Sequence, residues 1–188
     1  MRILSHLKIC LASAAVLVLG GCVNSEAPPD TFYYVLDPAP QTYDAKTNAT
    51  PYKIKPVVLP DYMNQPNLVL KLSDHQIKIT NYHFWAADLR QSVQSVLINE
   101  LNLINNAASF SNNCGQCTEI SVYIQHYYPT EDGDVVLSGN YQINSGQQSQ
   151  SLHSFSLKNS LQKGGYDEAV AAMRKLLDEL AADINKKL

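Results

Sequence analysis

Four short runs in the first half of the chain alternate hydrophobic and polar residues, or are rich in aromatic and β-branched side chains, as β-strands are. They cover residues 31–36, 52–59, 68–72 and 76–80. Residues 73–75 separate the last two runs and predict a hairpin. The polar, turn-forming stretch at 38–51 predicts a loop between the first two runs.

The hydrophobic period changes to three or four residues between positions 86 and 104, which predicts an amphipathic helix. Its apolar positions are Leu89, Val93, Val96, Leu97, Leu101 and Ile104. A Ser- and Asn-rich stretch as far as Asn113 ends this helix. A meander of three antiparallel strands is then expected from alternating runs at 120–125, 135–143 and 152–157.

A second apolar helical stripe fills residues 166–188, directly behind Gly164-Gly165. Two helical stripes and several strand patterns in one chain can bury their apolar faces most simply against each other. We therefore expect an α/β domain in which two main amphipathic helices pack on a mixed or antiparallel β-sheet.

The N-terminus has the layout of a secretory signal. Arg2 and Lys8 precede an apolar run at 9–19, and the small pair Gly20-Gly21 stands directly before Cys22. The apolar run is shorter than the roughly 20 residues that a membrane-spanning helix needs. Residues 1–21 are therefore expected to be a signal peptide.

Leu19-Gly20-Gly21-Cys22 resembles the bacterial lipobox, in which the cysteine thiol receives a diacylglyceryl group and the new amine receives an acyl chain such as palmitate. The alternative is an ordinary secreted protein with a chance cysteine. Two or three acyl chains, at about 0.8 kcal/mol per buried methylene, hold a protein firmly on a bilayer. Cys22 is thus expected to be an anchoring residue.

Val23 and Asn24 follow Cys22. Enterobacterial lipoproteins retained at the inner membrane usually carry Asp directly after the cysteine, so this sequence favours the outer membrane, on its periplasmic side. Residues 22–30 contain Pro28 and Pro29 and read as a short lipidated tether. The remaining residues, 31–188, are expected to form one domain.

Composition excludes one class of partner. The formal net charge is −3, and no basic run is longer than Lys186-Lys187. Nucleic-acid binding therefore has no electrostatic support.

Cys114 and Cys117 form a C-x-x-C pair, which can be a redox motif, half of a zinc site or a local disulfide. Zinc needs two further ligands, and no nearby Cys or His pair supplies them. A reactive dithiol normally opens a helix, whereas this motif follows the predicted helix and precedes a strand. A structural disulfide in an oxidising compartment is the favoured interpretation.

No other pattern in the sequence indicates catalysis, a metal or a cofactor. The histidines of the domain are scattered, and no nucleophile elbow, metalloprotease or phosphate-loop motif is present. We therefore predict no catalytic residue, no metal ligand and no cofactor. Tyr62, His83, Phe84 and Trp85 are either core residues or a docking surface, and core is favoured for Trp85.

The order of several short blocks resembles the ABC-type transport auxiliary lipoproteins of the paraquat-inducible protein C (PqiC/YmbA-like) family. The resemblance spans essentially the whole domain. Gln65 departs from the acidic or Arg residue often found there, and the Cys114/Cys117 loop is not a family hallmark. The blocks are Tyr33-Tyr34-Val35-Leu36-Asp37-Pro38, Val57-Val58-Leu59-Pro60-Asp61-Tyr62 followed by Pro66-Asn67-Leu68-Val69, His83-Phe84-Trp85-Ala86-Ala87-Asp88-Leu89, and Tyr166-Asp167-Glu168-Ala169-Val170-Ala171-Ala172-Met173.

The resemblance implies a single three-layer-type α/β domain, similar to the amino-terminal domain of TolB, with no catalytic centre. It also implies a role as an auxiliary component of an MCE-type lipid transport system that maintains envelope integrity, with an MCE-domain protein as partner. A homo-oligomer is left open.

The irregular segment 61–67, with Pro60 and Pro66 restricting it, is expected to be the contact surface for that partner. Tyr62, Met63, Gln65 and Pro66 are its candidate contact residues. Two other functions stay open at this point: a structural or assembly lipoprotein of another outer-membrane complex, and a periplasmic thiol-disulfide protein.

Overall fold

The structure is a computed structural model that describes residues 27–36, 46, 48–144 and 151–188. Residues 31–188 form one compact unit. The predicted signal peptide and Cys22 lie outside the described residues, as does most of the loop expected at 38–51.

Within the described residues, five strands form one mixed sheet in the order β5-β2-β6-β7-β8. Strand β2 is parallel to both of its neighbours, and the last three strands form an antiparallel meander. The meander predicted from sequence is confirmed. The strands are β2 (Thr50–Ile54), β5 (Ala108–Ser111), β6 (Thr118–Pro129), β7 (Asp134–Asn144) and β8 (Ser151–Ser160).

A second sheet of three described strands has the order β1-β4-β3. Its strands are β1 (Phe32–Tyr34), β3 (Asn67–Ser73) and β4 (Gln76–Trp85). Strands β3 and β4 form the predicted hairpin, and β1 runs parallel to β4. The end of β6 meets β3 through a parallel bridge between Lys71 and Thr130, where the Glu131 amide donates to the Lys71 carbonyl at 2.8 Å.

Helices α1 (Leu89–Ile104) and α2 (Tyr166–Asn185) lie against the buried face of the five-stranded sheet. The Gln94 amide of α1 donates to the Ile54 carbonyl at 2.9 Å, and the Tyr127 hydroxyl of β6 donates to the Met173 carbonyl of α2 at 3.1 Å. Arg174 of α2 pairs with Glu100 of α1. The predicted α/β class with two amphipathic helices packed on β-structure is therefore confirmed, but the described strands form two sheets where one was predicted.

Several element boundaries differ from the sequence prediction; strand β2, for example, ends at Ile54 and not at Leu59. Two of the differences lie where β4 meets α1. Helix α1 begins at Leu89, not Ala86, because the Asp88 carboxylate caps it by accepting from the Gln91 amide at 2.9 Å. Strand β4 continues through Trp85, so this residue closes a strand and does not open the helix. Trp85 is nevertheless buried in the core, as favoured from the sequence.

Strand β5 was missed because its signal is two buried residues, Ala108 and Phe110, within a Ser- and Asn-rich stretch. The buried Asn102 side chain of α1 holds it in place. Its amide nitrogen donates to the Phe110 carbonyl at 2.8 Å, and its oxygen accepts from the Phe110 amide at 3.0 Å. The Asn102 side chain thus makes the two hydrogen bonds that a neighbouring strand would make. Strand β5 is therefore specified by a residue of the helix and not by its own sequence.

Gly139 of β7 lies beside a bulge in β6, where the register shifts between Ile124 and His126. A methyl group at Gly139 would stand 2.1 Å from the Tyr123 carbonyl oxygen and 3.1 Å from the Phe155 ring. The central pair of strands therefore approaches more closely than a larger residue permits.

We expect Gly139→Ala to lower the free energy of unfolding by about 1–3 kcal/mol, because the backbone of β6 must move to admit the methyl group. Urea denaturation measures this. Gly164→Ala is the matched control, since a methyl group there meets nothing within 4 Å. Equal stability of the two variants would contradict the close approach.

Candidate functional site

The segment between β2 and β3 that was expected to bind a partner is well ordered by its own hydrogen bonds. Asp61–Met63 form one 3-10 turn, in which the Met63 amide donates to the Pro60 carbonyl at 2.9 Å and the Asn64 amide donates to the Asp61 carbonyl at 3.0 Å. The Gln65 side-chain amide donates to the Tyr62 carbonyl at 2.7 Å. These bonds fix the loop in one shape.

Two bonds tie this loop to the start of α1 and the end of β4. The Trp85 amide donates to the Pro66 carbonyl at 2.6 Å, and the Arg90 guanidinium donates to the Asn64 side-chain oxygen at 2.6 Å. A cleft of about 350 Å³ lies between the loop and the helix, with both polar and apolar residues in its walls. It could take a partner side chain, with Arg90 at its rim as a hydrogen-bond donor.

The candidate contact residues differ in exposure. Pro66 is exposed, and Tyr62 and Gln65 are half-buried, so each presents surface to a partner. Met63 is only 3% exposed and belongs to the main core cluster with Trp85. The expectation that Met63 is a surface contact is therefore wrong. The turn directs its side chain inward, where it packs in the core beneath the loop.

Tyr62 bridges the loop to strand β6. Its ring packs against the core, and its hydroxyl donates to the Gln125 carbonyl at 3.2 Å. Burial, and to a smaller extent the neighbouring Tyr128, raises the pKa of Tyr62 above its ordinary value. The phenol therefore stays neutral and keeps its donor at physiological pH.

His83 is part of an aromatic stack. Its ring lies 3.8 Å from that of Tyr166 and 5.5 Å from that of Phe32, and its Nδ1 is 2.9 Å from the Tyr34 hydroxyl. Burial lowers the pKa of His83, which favours the neutral ring. The contacts account for this histidine as a packing residue that joins β1, β4 and α2.

Cys114 and Cys117 are paired in the loop between β5 and β6, with their Cα atoms 6.2 Å apart, a distance that suits a disulfide. Because β5 and β6 flank β2 and both run parallel to it, this loop must carry the chain across β2. Strand β6, and not a helix, follows the motif. The helix N-terminus that lowers the thiol pKa in redox proteins is therefore not supplied.

Among the described residues, no group of three or more His, Cys, Asp or Glu side chains could hold a metal ion. No helix in that part of the chain is long and apolar enough to cross a membrane. The lipidation residue Cys22 lies outside it.

A family model described as ABC-type transport auxiliary lipoprotein component matches residues 34–185. The chain belongs to this family. The matched region contains the segment 61–67, both helices and nearly all of both sheets. The resemblance drawn from the sequence blocks is thereby confirmed, and the family is one of transport auxiliary components, not a known enzyme family.

Solved structures share the fold. The crystal structure of an uncharacterized protein is 25% identical, with a TM-score of 0.76, and the match covers 85% of this chain and 99% of the other. Protein XCC0632 from Xanthomonas campestris, assigned to family DUF330, has 9% identity and a TM-score of 0.69 over 82% of this chain and 93% of its own. A search of curated proteins finds no significant match.

Sequence reasoning missed the Arg90–Asn64 bond that closes the cleft of this lipoprotein. The hydrophobic period marks Arg90 only as a polar position between the apolar ones, and nothing in its spacing points to a loop 26 residues earlier. The signal that could have found it is the cap at Asp88, which places Arg90 in the first turn of α1.

We expect Met63→Ala to lower the free energy of unfolding by about 2–5 kcal/mol, because it leaves a cavity beneath the loop. The exposed neighbour Asp61, changed to Ala, should alter stability by no more than about 0.5 kcal/mol. Thermal and urea unfolding of the two variants would measure both free-energy changes. An unchanged free energy of unfolding in Met63→Ala would contradict the burial of this side chain.

A disulfide between Cys114 and Cys117 closes a very short loop, so changing both cysteines to Ser should cost no more than about 2 kcal/mol. Mass spectrometry of non-reduced peptides should show the two residues joined. Reductant should destabilise the wild type and leave the double variant unchanged. Two thiols that alkylate rapidly in freshly isolated protein would revive the redox interpretation.

Proposed function

We propose that this lipoprotein is a non-catalytic auxiliary component of an MCE-type ABC lipid transport system. In this proposal it is anchored at the outer membrane through Cys22, faces the periplasm and docks a periplasm-spanning MCE-domain protein. Residues 1–21 act as the signal peptide, 22–30 as the lipidated tether and 31–188 as the docking domain. The observation that carries the proposal is the family match over residues 34–185.

The segment 61–67, which we call the docking loop, has the physical properties of a binding surface. It is held by six hydrogen bonds to itself and to its neighbours, so little conformational entropy is lost when a partner binds. Tyr62 and Pro66 offer apolar area, and Gln65 and Arg90 offer polar groups at the rim. An aromatic side chain surrounded by polar groups is a common centre of binding energy in interfaces.

A role in docking also accounts for the chemistry of the rest of the domain. His83 is held in an aromatic stack, and Cys114 and Cys117 are paired in a loop that opens no helix. Packing or pairing accounts for each of these groups, so the proposal assigns none of them a catalytic role. Energy for transport would come from the partner complex.

Pull-down of a purified MCE-domain partner on the immobilised lipoprotein tests the proposal. We expect Tyr62→Ala to weaken binding by about 1–3 kcal/mol, or roughly 5- to 150-fold, as for a modest hot spot. The reason is the loss of the largest side chain that the loop presents. Pro66→Ala should weaken binding less, because only one exposed ring is lost.

Leu152→Ala is the control, since Leu152 is an exposed apolar residue of β8. Tyr62→Phe keeps the ring and reports what the hydroxyl bond to Gln125 contributes. If Tyr62→Ala bound as tightly as Leu152→Ala while remaining folded, the loop would not be the contact surface. Failure of the wild-type protein to bind any MCE-domain protein would remove the transport assignment.

A further inference from the structure

An exposed apolar face covers one side of the three-stranded sheet. Tyr33 is 68% exposed and Val35 is 55% exposed, while their chain neighbours Tyr34 and Leu36 point into or against the core. Side chains alternate between the two faces of a strand. Tyr33 and Val35 therefore point away from the core together.

The sheet carries further exposed apolar side chains. Tyr33 pairs with Phe84, and their rings stack with centroids 5.6 Å apart. The register of β3 and β4 shifts between Asn67 and Val69, and beyond the shift Val69 pairs with Ile79 and Lys71 with Ile77. Ile77 and Ile79 are both exposed. We call Tyr33, Val35, Ile77, Ile79 and Phe84 the aromatic face.

The outer face of the five-stranded sheet has a mixed chemistry. Polar cross-strand pairs, such as Ser138 with Ser156, lie there beside the exposed Tyr123 and Leu152. Polar side chains suit water, whereas a group of exposed aromatic and branched side chains, as on the three-stranded sheet, marks an interaction surface.

The position of the aromatic face along the chain indicates that its partner is the bilayer. Tyr33 lies eleven residues after Cys22, and an extended chain spans at most about 3.3–3.6 Å per residue. A lipid anchor at Cys22 would hold the first strand of the domain within about 40 Å of the bilayer. At that distance the bilayer is a partner of high effective concentration, so weak contacts suffice.

Its chemistry fits the same partner. Tyrosine is enriched at membrane–water interfaces, where the ring meets the acyl boundary and the hydroxyl meets the headgroups. Val35, Ile77 and Ile79 supply flanking apolar groups. We propose that the aromatic face rests in the headgroup region of the bilayer that holds the anchor. This inference rests on the proposed lipidation of Cys22.

Fluorescence quenching tests the contact. The mature lipid-modified protein would carry Tyr33→Trp, or Leu152→Trp as a control of similar exposure on β8. Each would be reconstituted in phosphatidylethanolamine–phosphatidylglycerol vesicles with or without acyl-brominated lipid. We expect the added Trp at position 33 to be quenched about two-fold, since an interfacial side chain lies about 5–10 Å into the boundary region. The signal of the native, buried Trp85 is subtracted using wild-type protein.

The outcomes separate this inference from the proposed function. An intact-mass measurement without an acyl group on Cys22 would overturn the anchor, and with it both ideas. An acylated protein whose Tyr33→Trp signal is unquenched, or quenched no more than Leu152→Trp, would overturn the membrane contact alone. Val35→Trp repeats the measurement if Tyr33→Trp does not fold. Quenching that appears only when an MCE-domain partner is added would also overturn the membrane contact. The partner, and not the aromatic face, would then orient the domain on the bilayer.

Discussion

Strand β6 is the element on which the rest of the domain depends. It pairs with β2 on one side and β7 on the other, and its end bridges to β3, so it connects the two sheets. Its inward residues, such as Val122 and Tyr127, meet both the core and helix α2. The bulge near Gln125 bends this strand, and the missing side chain at Gly139 lets β7 follow the bend.

The helices cover one face of the five-stranded sheet and are locked to each other by the Arg174–Glu100 pair. Arg174 also pairs with Asp178 of its own helix, so its guanidinium has two carboxylate partners. A transport auxiliary protein needs binding surfaces more than a reactive centre, and the docking loop and the aromatic face are the two surfaces that we propose for it.

The docking loop shows how packing prepares a surface. Met63 is buried beneath the turn, and the Trp85 amide and Arg90 guanidinium hold its C-terminal end. The residues left outside, Tyr62 and Pro66, therefore stand in fixed positions. Met63, which the sequence predicts to be a contact residue, can thus act on the loop only indirectly, by supporting its neighbours from the core.

The sequence by itself determined the elements whose signal is local: the β3–β4 hairpin, the β6–β8 meander and the apolar stripes of both helices. The family followed from the order of short blocks. Only the tertiary structure decided that β5 is a strand, that Met63 is buried and that Tyr33 is exposed. The physical reason is that the periodicity of a sequence shows which side chains alternate but not which face is buried. Burial depends on partners that are remote in sequence, such as Asn102 of α1 for β5.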